Sequence, residues 1–240
     1  MEENKVENSG IPAAGQTQDP EPIFALDIGT RSIIGIVGTQ EKELLRVWDV
    51  AQEEHMQRAM IDGQIENIDQ VAATADIVKK RLEKKVGFPL KNVSVAAAGR
   101  ALKTQRASFE MELDPKTLIT RRQVFELEMG AIQQAGSELL AGEQADDQLY
   151  CVGHSVMRYY LDDYPISTLM NHRGKKAKVE IIATFLPTEV VESLYTTMAK
   201  IGLSVMSITL EPIAAMNAII PQELRMLNLA LVDIGAGTSD

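Results

Sequence analysis

Phe24-Ala25-Leu26-Asp27-Ile28-Gly29-Thr30-Arg31-Ser32-Ile33-Ile34-Gly35-Ile36-Val37-Gly38 is the stretch on which the reading of the whole chain turns. Two β-rich apolar runs flank a polar turn that contains glycine, which is the pattern of a tight hairpin. An aspartate lies at the end of the first run, followed by Gly29 and Thr30. Glycine lets backbone N–H groups come close to a phosphate, and the carboxylate can hold a magnesium ion through its waters. Near the other end of the sequence, Leu231-Val232-Asp233-Ile234-Gly235-Ala236-Gly237-Thr238-Ser239-Asp240 repeats the arrangement. Either loop alone is as well explained by a structural turn, since Asp-Gly is common in hairpins. Two copies in matching strand context point instead to a pair of loops that clamp a triphosphate from both sides of a cleft.

Outward from the first hairpin, Leu44 to Val50 supplies a third strand. Ile68, Val71, Ala72, Ala75, Val78 and Leu82 recur at helical spacing, with Asn67 as N-cap and Gly87 and Pro89 beyond the end, so a helix is expected from Ile68 to Val86. Val93-Ser94-Val95-Ala96-Ala97-Ala98-Gly99 reads as a short strand. Residues 100–187 change pattern: strand Lys103 to Leu113, helix Arg121 to Leu140 opened by a Thr120/Gln123 capping box, then strands Gln148 to Leu161 and Lys178 to Leu186. Between the last two lies a long polar loop, Asp162 to Ala177. The first pattern then resumes. A helix from Thr188 ends at Gly202, strand Leu203 to Leu210 follows, and Glu211-Pro212 opens a short helix that stops before Pro221. Leu229 to Val232 is expected as a further strand.

The 240 residues carry 24 Lys+Arg against 34 Asp+Glu, a net charge of −10, and 45% are hydrophobic. That apolar fraction supports a real core and excludes disorder throughout. The acidic balance argues against a nucleic-acid partner, which would need a basic face. The single cysteine, Cys151, excludes an internal disulfide and a cysteine-rich metal cage, so a reducing cytosol is the default reading. Neither a signal peptide nor a run of about 18 apolar residues for a membrane span is present. Residues Met1 to Pro22 hold one lysine against five acids and few large apolar side chains, the composition of a disordered acidic tail.

Without residues 100–187 the elements run β-β-β-α-β-α-β-α, the order of a ribonuclease-H-like lobe with a mixed sheet. Phe24-Ala25-Leu26-Asp27-Ile28-Gly29-Thr30 resembles the first phosphate motif of the actin-like ATPase superfamily, and Leu231 to Asp240 resembles the second. The insert at 100–187, with Ala59-Met60-Ile61-Asp62-Gly63 and Val93 to Gly99, is similar to the FtsA-like branch, a bacterial cell-division family. The resemblance spans residues 23–240. It implies an acidic tail at 1–22, a first-lobe subdomain at 23–99 plus 188–224, an inserted α+β subdomain at 100–187, and the opening strand and phosphate loop of a truncated second lobe at 225–240.

By the same resemblance, Asp27, Gly29, Thr30, Arg31, Asp233, Gly235, Gly237 and Thr238 would bind ATP, with Mg2+ at Asp27 and Asp233. Glu211 would orient the attacking water in a weak ATPase, with a cap for the helix that Pro212 begins as its other reading. Glu211-Pro212-Ile213-Ala214-Ala215 departs from ordinary FtsA and is closer to the MreB and DnaK pattern, and no lysine follows Asp27 where actin has one, so Arg31 either substitutes for it or points to solvent. The implied function is nucleotide-switched self-assembly with FtsZ or other division proteins as partners. The implied location is the cytoplasm, at the inner face of the membrane through a C-terminal segment beyond this sequence. With the opposite wall of the cleft missing, this chain is expected to bind ATP weakly or not at all. The alternatives are a PilM-like pilus or secretion adaptor, and a small-molecule kinase of the same superfamily.

His55, His154 and His172 lie far apart with no carboxylate or cysteine at ligand spacing, and read as surface or packing residues. Cys151 reads as a packed thiol alternating with Gly153, Ser155 and Met157. The loop Asp162 to Ala177 mixes Tyr164, Leu169 and Met170 with Arg173, Lys175 and Lys176. That mixture makes it a candidate partner contact, with a mobile hairpin tip as the other reading.

Overall fold

The structure is a computed structural model that describes residues 21–42, 44–97, 102–141, 148–221, 224, 227 and 229–237. Nearly all of the expected disordered tail lies outside the described residues, as do Gly99 and Thr238. Contacts divide the chain into two compact units. One holds Met1–Ala97, Thr196–Ile208 and Gly235–Gly237, the other Ala98–Tyr195, Thr209–Ile234 and Thr238–Asp240.

In the first unit, β1 (Ile23–Ile28) and β2 (Ser32–Glu41) pair antiparallel with Ile28 opposite Ile33, which leaves Gly29-Thr30-Arg31 as the connecting turn. β3 (Leu44–Glu54) pairs antiparallel with β2, with one register shift at Val37/Gly38. A small hairpin follows, β4 (Met60–Ile61) and β5 (Gln64–Ile65). It turns on Asp62 and Gly63, whose φ values of 52° and 78° suit an Asp-Gly hairpin. The helix α1 (Ile68–Val86) has the expected limits. The Asn67 side chain accepts from Gln70 N at 3.0 Å, and Gly87 at φ 82° sends its N–H back to Glu83 O. Next, β6 (Asn92–Ala97) runs parallel to β1.

α1 covers one face of this sheet. Leu26, Ile28, Ile33 and Val37 meet Val71, Ala75, Val78 and Leu82, and none is more than 2% exposed. Each buried Val, Leu or Ile among them contributes roughly 1.5–3 kcal/mol. Gly35 lets the helix approach, because a Cβ there would lie 2.6 Å from Val78 Cγ1 and 2.9 Å from Leu82 Cδ1.

The second unit begins with β7 (Lys103–Glu112) and α2 (Arg121–Ala141). α2 opens on the capping box: Thr120 N donates to Gln123 Oε1 at 2.9 Å and Gln123 N to Thr120 Oγ1 at 3.4 Å. Strands β8 (Leu149–Leu161), β9 (Tyr164–Ile166) and β10 (Lys176–Pro187) complete a sheet of order β7-β10-β8-β9. Alternate residues of β10, Val179, Ile181, Ala183 and Phe185, form one cluster with Leu127, Ala131 and Ala135 of α2.

The loop Asp162 to Ala177 differs from its expected form. Tyr164–Ile166 is strand β9, and Lys176 and Ala177 already belong to β10. The segment between is tied down: Asp162 Oδ1 accepts from Lys175 N at 2.7 Å and Lys176 N at 3.0 Å, and Ile119 N donates to His172 O at 2.9 Å. Leu169, expected as an exposed anchor, is 1% exposed in the unit's core. The expected alternation of Cys151 with Gly153 and Ser155 is interrupted by a register shift that sets Cys151 opposite Phe185 and Gly153 opposite Thr184.

α3 (Thr188–Lys200) follows β10 and leads to Gly202 at φ 72°. β11 (Ser204–Leu210) then takes the far edge of the first sheet, giving the order β11-β6-β1-β2-β3. α4 (Glu211–Ile219) starts at Glu211, with Pro212 in its first turn. The expected strand Leu229 to Val232 is irregular, and only Ile234 forms an isolated bridge. A strand needs a neighbouring strand for its backbone bonds, and this run has none among the described residues.

Candidate functional site

The β1–β2 turn is the center of the first unit's candidate chemistry. Pleating sends Phe24, Leu26 and Ile28 into the core and leaves Asp27 exposed on the other face, so the carboxylate reaches solvent at the end of a buried strand. Gly29 N donates to Ser32 O at 3.1 Å, which closes the turn. Arg31, the candidate substitute for a phosphate-binding lysine, instead pairs with Glu54 at 2.9 Å, both side chains being more than half exposed.

The last residues of β3 and His55 hold this turn from behind. Gln52 Nε2 donates to Ser32 Oγ at 3.1 Å, and His55 N donates to Arg31 O at 3.0 Å. His55 Nε2 lies 3.1 Å from Gly29 O, and its Nδ1 lies 3.3 Å from Thr74 Oγ1 on α1. A carbonyl oxygen only accepts, so Nε2 carries a proton and donates. Sequence reading missed this role, because His55 is 26 residues from Gly29 and 19 from Thr74.

Gly237 of the second Asp-Gly run lies against Thr30. A Cβ on Gly237 would come within 2.5 Å of Thr30 Oγ1, so glycine is needed for this approach. Asp27, Gly29, Thr30, Arg31, Gly235 and Gly237 belong to one unit, in which Gly237 meets the first turn at Thr30. Asp233 is exposed and belongs to the other unit, as does Glu211. Glu211 is the first residue of α4, whose N-cap is Leu210 with no side-chain cap bond. The Oε1 of Glu211 is shielded from solvent. Among the described residues there is no group of three or more His, Cys, Asp or Glu placed to hold a metal ion.

The second unit has its own polar cluster. Glu128 on α2 accepts from Tyr159 OH, and His154 Nε2 lies 3.4 Å from its other oxygen. Burial, followed by the Glu128 hydrogen bond and charge, pushes the Tyr159 phenol well above the ordinary tyrosine range. Burial likewise raises the Cys151 thiol, against a weaker opposing effect from the Gly153 backbone, so the thiol form is favoured. None of the helices is long and apolar enough to cross a membrane, among the described residues.

No protein-family model and no curated protein matches this sequence. Among solved structures, the chain is similar to the PilM-PilN type IV pilus biogenesis complex, with a TM-score of 0.52 and 12% identity over 81% of this chain. More distant are cyto-EpsL, the cytoplasmic domain of an inner membrane component of the type II secretion system of Vibrio cholerae (TM-score 0.33, 9% identity, 79% of this chain and 56% of that one), and the ethanolamine utilization protein EutJ from Carboxydothermus hydrogenoformans (TM-score 0.29, 20% identity, 33% and 28%). This chain spans 48% of the length of the PilM-PilN chain it matches. The likeness is one of fold: the mixed α/β architecture with its mixed sheet is shared with the PilM-PilN structure.

Proposed function

We propose that the chain is part of a nucleotide-switched assembly protein of FtsA-like kind, which binds Mg-ATP at the β1–β2 turn and recruits a protein partner. The observation that carries this reading is the turn itself: an exposed Asp27 at a strand end, a glycine turn clamped from behind, and a second glycine run set against Thr30. Such a turn suits a phosphate and a hydrated magnesium ion. Asp27, Gly29, Thr30, Gly235 and Gly237 would hold the phosphates, with Thr238 and Asp233 completing the second loop and Asp233 sharing the metal. Glu211 would orient the attacking water. Arg31 is the weakest member of the set, since Glu54 already engages it.

In this reading residues 23–99 and 188–224 form the first-lobe subdomain, 100–187 the inserted one, and 225–240 the start of a second lobe. Domain closure over nucleotide would alter the surface offered to self-association, to FtsZ and to other division proteins at the cytoplasmic face of the membrane. A second reading, a PilM-like pilus or secretion adaptor, is favoured by the fold likeness over 81% of the chain.

Titration of the full-length protein with Mg-ATP tests the nucleotide site. Asp27→Ala is expected to weaken binding at least about tenfold, the size of a lost charge-assisted contact. Glu211→Ala should reduce hydrolysis far more than affinity, because water orientation matters in the transition state. Unchanged affinity in the Asp27 variant removes the magnesium role, and unchanged turnover in the Glu211 variant removes the catalytic one.

A further inference from the structure

We infer that His55 is a positioning residue for phosphate, acting through the Gly29 carbonyl on the direction of the Thr30 N–H. This inference rests on the proposed nucleotide site. A trans peptide unit is planar, with its C=O and N–H pointing in opposite directions, and none of the described peptide bonds is cis. Whatever holds the Gly29 oxygen therefore also aims the Thr30 hydrogen. The Nε2–H of His55 holds that oxygen at 3.1 Å on the side of the turn that faces β3 and α1. The Thr30 N–H must then point away from His55, out of the turn, where an anion would meet it. None of the bonds that brace the turn uses this N–H.

The imidazole is itself held at three points. Its backbone N–H donates to Arg31 O at 3.0 Å, so the ring hangs from a residue fixed to the far end of the same turn. Glu54, one residue before it, pairs with Arg31 at 2.9 Å. On the other side, Nδ1 lies 3.3 Å from Thr74 Oγ1, and that hydroxyl is also placed to donate to Gln70 O at 3.1 Å. The Thr74 hydroxyl has one proton, so it donates either to Gln70 O or to Nδ1. Thr74 is 5% exposed on a helix whose core face is fully packed, so the ring rests on a rigid support. Residues that lock a donor in place before the ligand arrives spare binding the cost of ordering it.

The test compares wild type, His55→Ala, His55→Gln, Thr74→Val and Asp27→Ala in the full-length protein. It measures Mg-ATP affinity by calorimetry and the response of the Thr30 amide signal to Mg-ATP by 1H–15N spectroscopy. Glutamine can place an amide donor near the position of Nε2. His55→Ala is expected to weaken Mg-ATP about fivefold, in line with one lost hydrogen bond. It should also abolish most of the Thr30 shift, and His55→Gln should restore both. A purely structural role would lower thermal stability without selective loss and rescue of the Thr30 response. Wild-type affinity and an intact Thr30 response in His55→Ala, with binding lost in Asp27→Ala, overturn the role of His55 and leave the nucleotide site standing. Absence of Mg-ATP binding by the wild type overturns both. Should His55→Ala fail to fold, Thr74→Val decides: a loss of about twofold is expected, and unchanged affinity and Thr30 response overturn the proposal.

Discussion

At the scale of single residues, Glu128 shows how one half-buried carboxylate ties a helix to a sheet. It accepts from Tyr159 and lies beside His154, and its side chain is 19% exposed. Tyr159→Phe removes the donor and leaves the carboxylate under-satisfied, at a cost of about 1–3 kcal/mol in chemical denaturation. The pH dependence follows from the raised phenol. The folded state keeps its proton above the pH at which an unfolded tyrosine loses it, so the folded state binds more protons there. The stabilisation is whole below the ordinary tyrosine range and is lost as pH climbs from that range towards the raised value. Wild type should therefore lose stability on this alkaline limb more steeply than Tyr159→Phe. Parallel curves for the two proteins would show that Tyr159 contributes nothing to it.

At the scale of elements, the segment between β9 and β10 behaves as part of the core rather than as a free hairpin tip. Leu169 is 1% exposed and packs with Ile119 and Val179, whereas Tyr164 is 77% exposed. Leu169→Ala should cost about 2–5 kcal/mol, the range for a large-to-small change in a core. Tyr164→Ala should stay within about 0.5 kcal/mol, as surface changes do. Thermal and denaturant melts of the two variants check the contrast, and equal effects would contradict the packing described. With Leu169 engaged inside, a partner contact here is left with Tyr164, the half-buried Met170 and the basic side chains.

At the scale of the whole molecule, the partner separates the two functional readings. If the proposed FtsA-like reading holds, the full-length protein, immobilised and offered FtsZ in one arm and a pilus-protein tail peptide in the other, is expected to retain FtsZ and to self-associate in sedimentation on addition of Mg-ATP. Retention of the pilus-type peptide alone would favour the adaptor reading. Met170→Asp combined with Lys175→Glu locates the contact: loss of retention with nucleotide binding preserved places it on the inserted module, and unchanged retention excludes that loop.

Much of this architecture was legible in the sequence because it depends on local rules. Asn67 and Gly87 mark the limits of α1, Thr120 and Gln123 open α2, and the alternation around Asp27 sets which side of β1 faces solvent. Those signals are carried within a few residues, by backbone geometry and side-chain reach. What only the tertiary structure decided involves partners distant along the chain. β9 is three residues long, contains Pro165 and exists because Tyr159 to Leu161 offer it an edge. Leu229 to Val232 has strand-like composition but lacks a neighbouring strand to satisfy it among the described residues. His55 has no local pattern to announce it, since its ring is defined by Gly29 and Thr74, which the pairing of β2 with β3 and the packing of α1 bring to it. Sequence determined the elements and the Asp-Gly turn through short-range sterics and periodicity, while long-range packing determined which groups hold that turn in place.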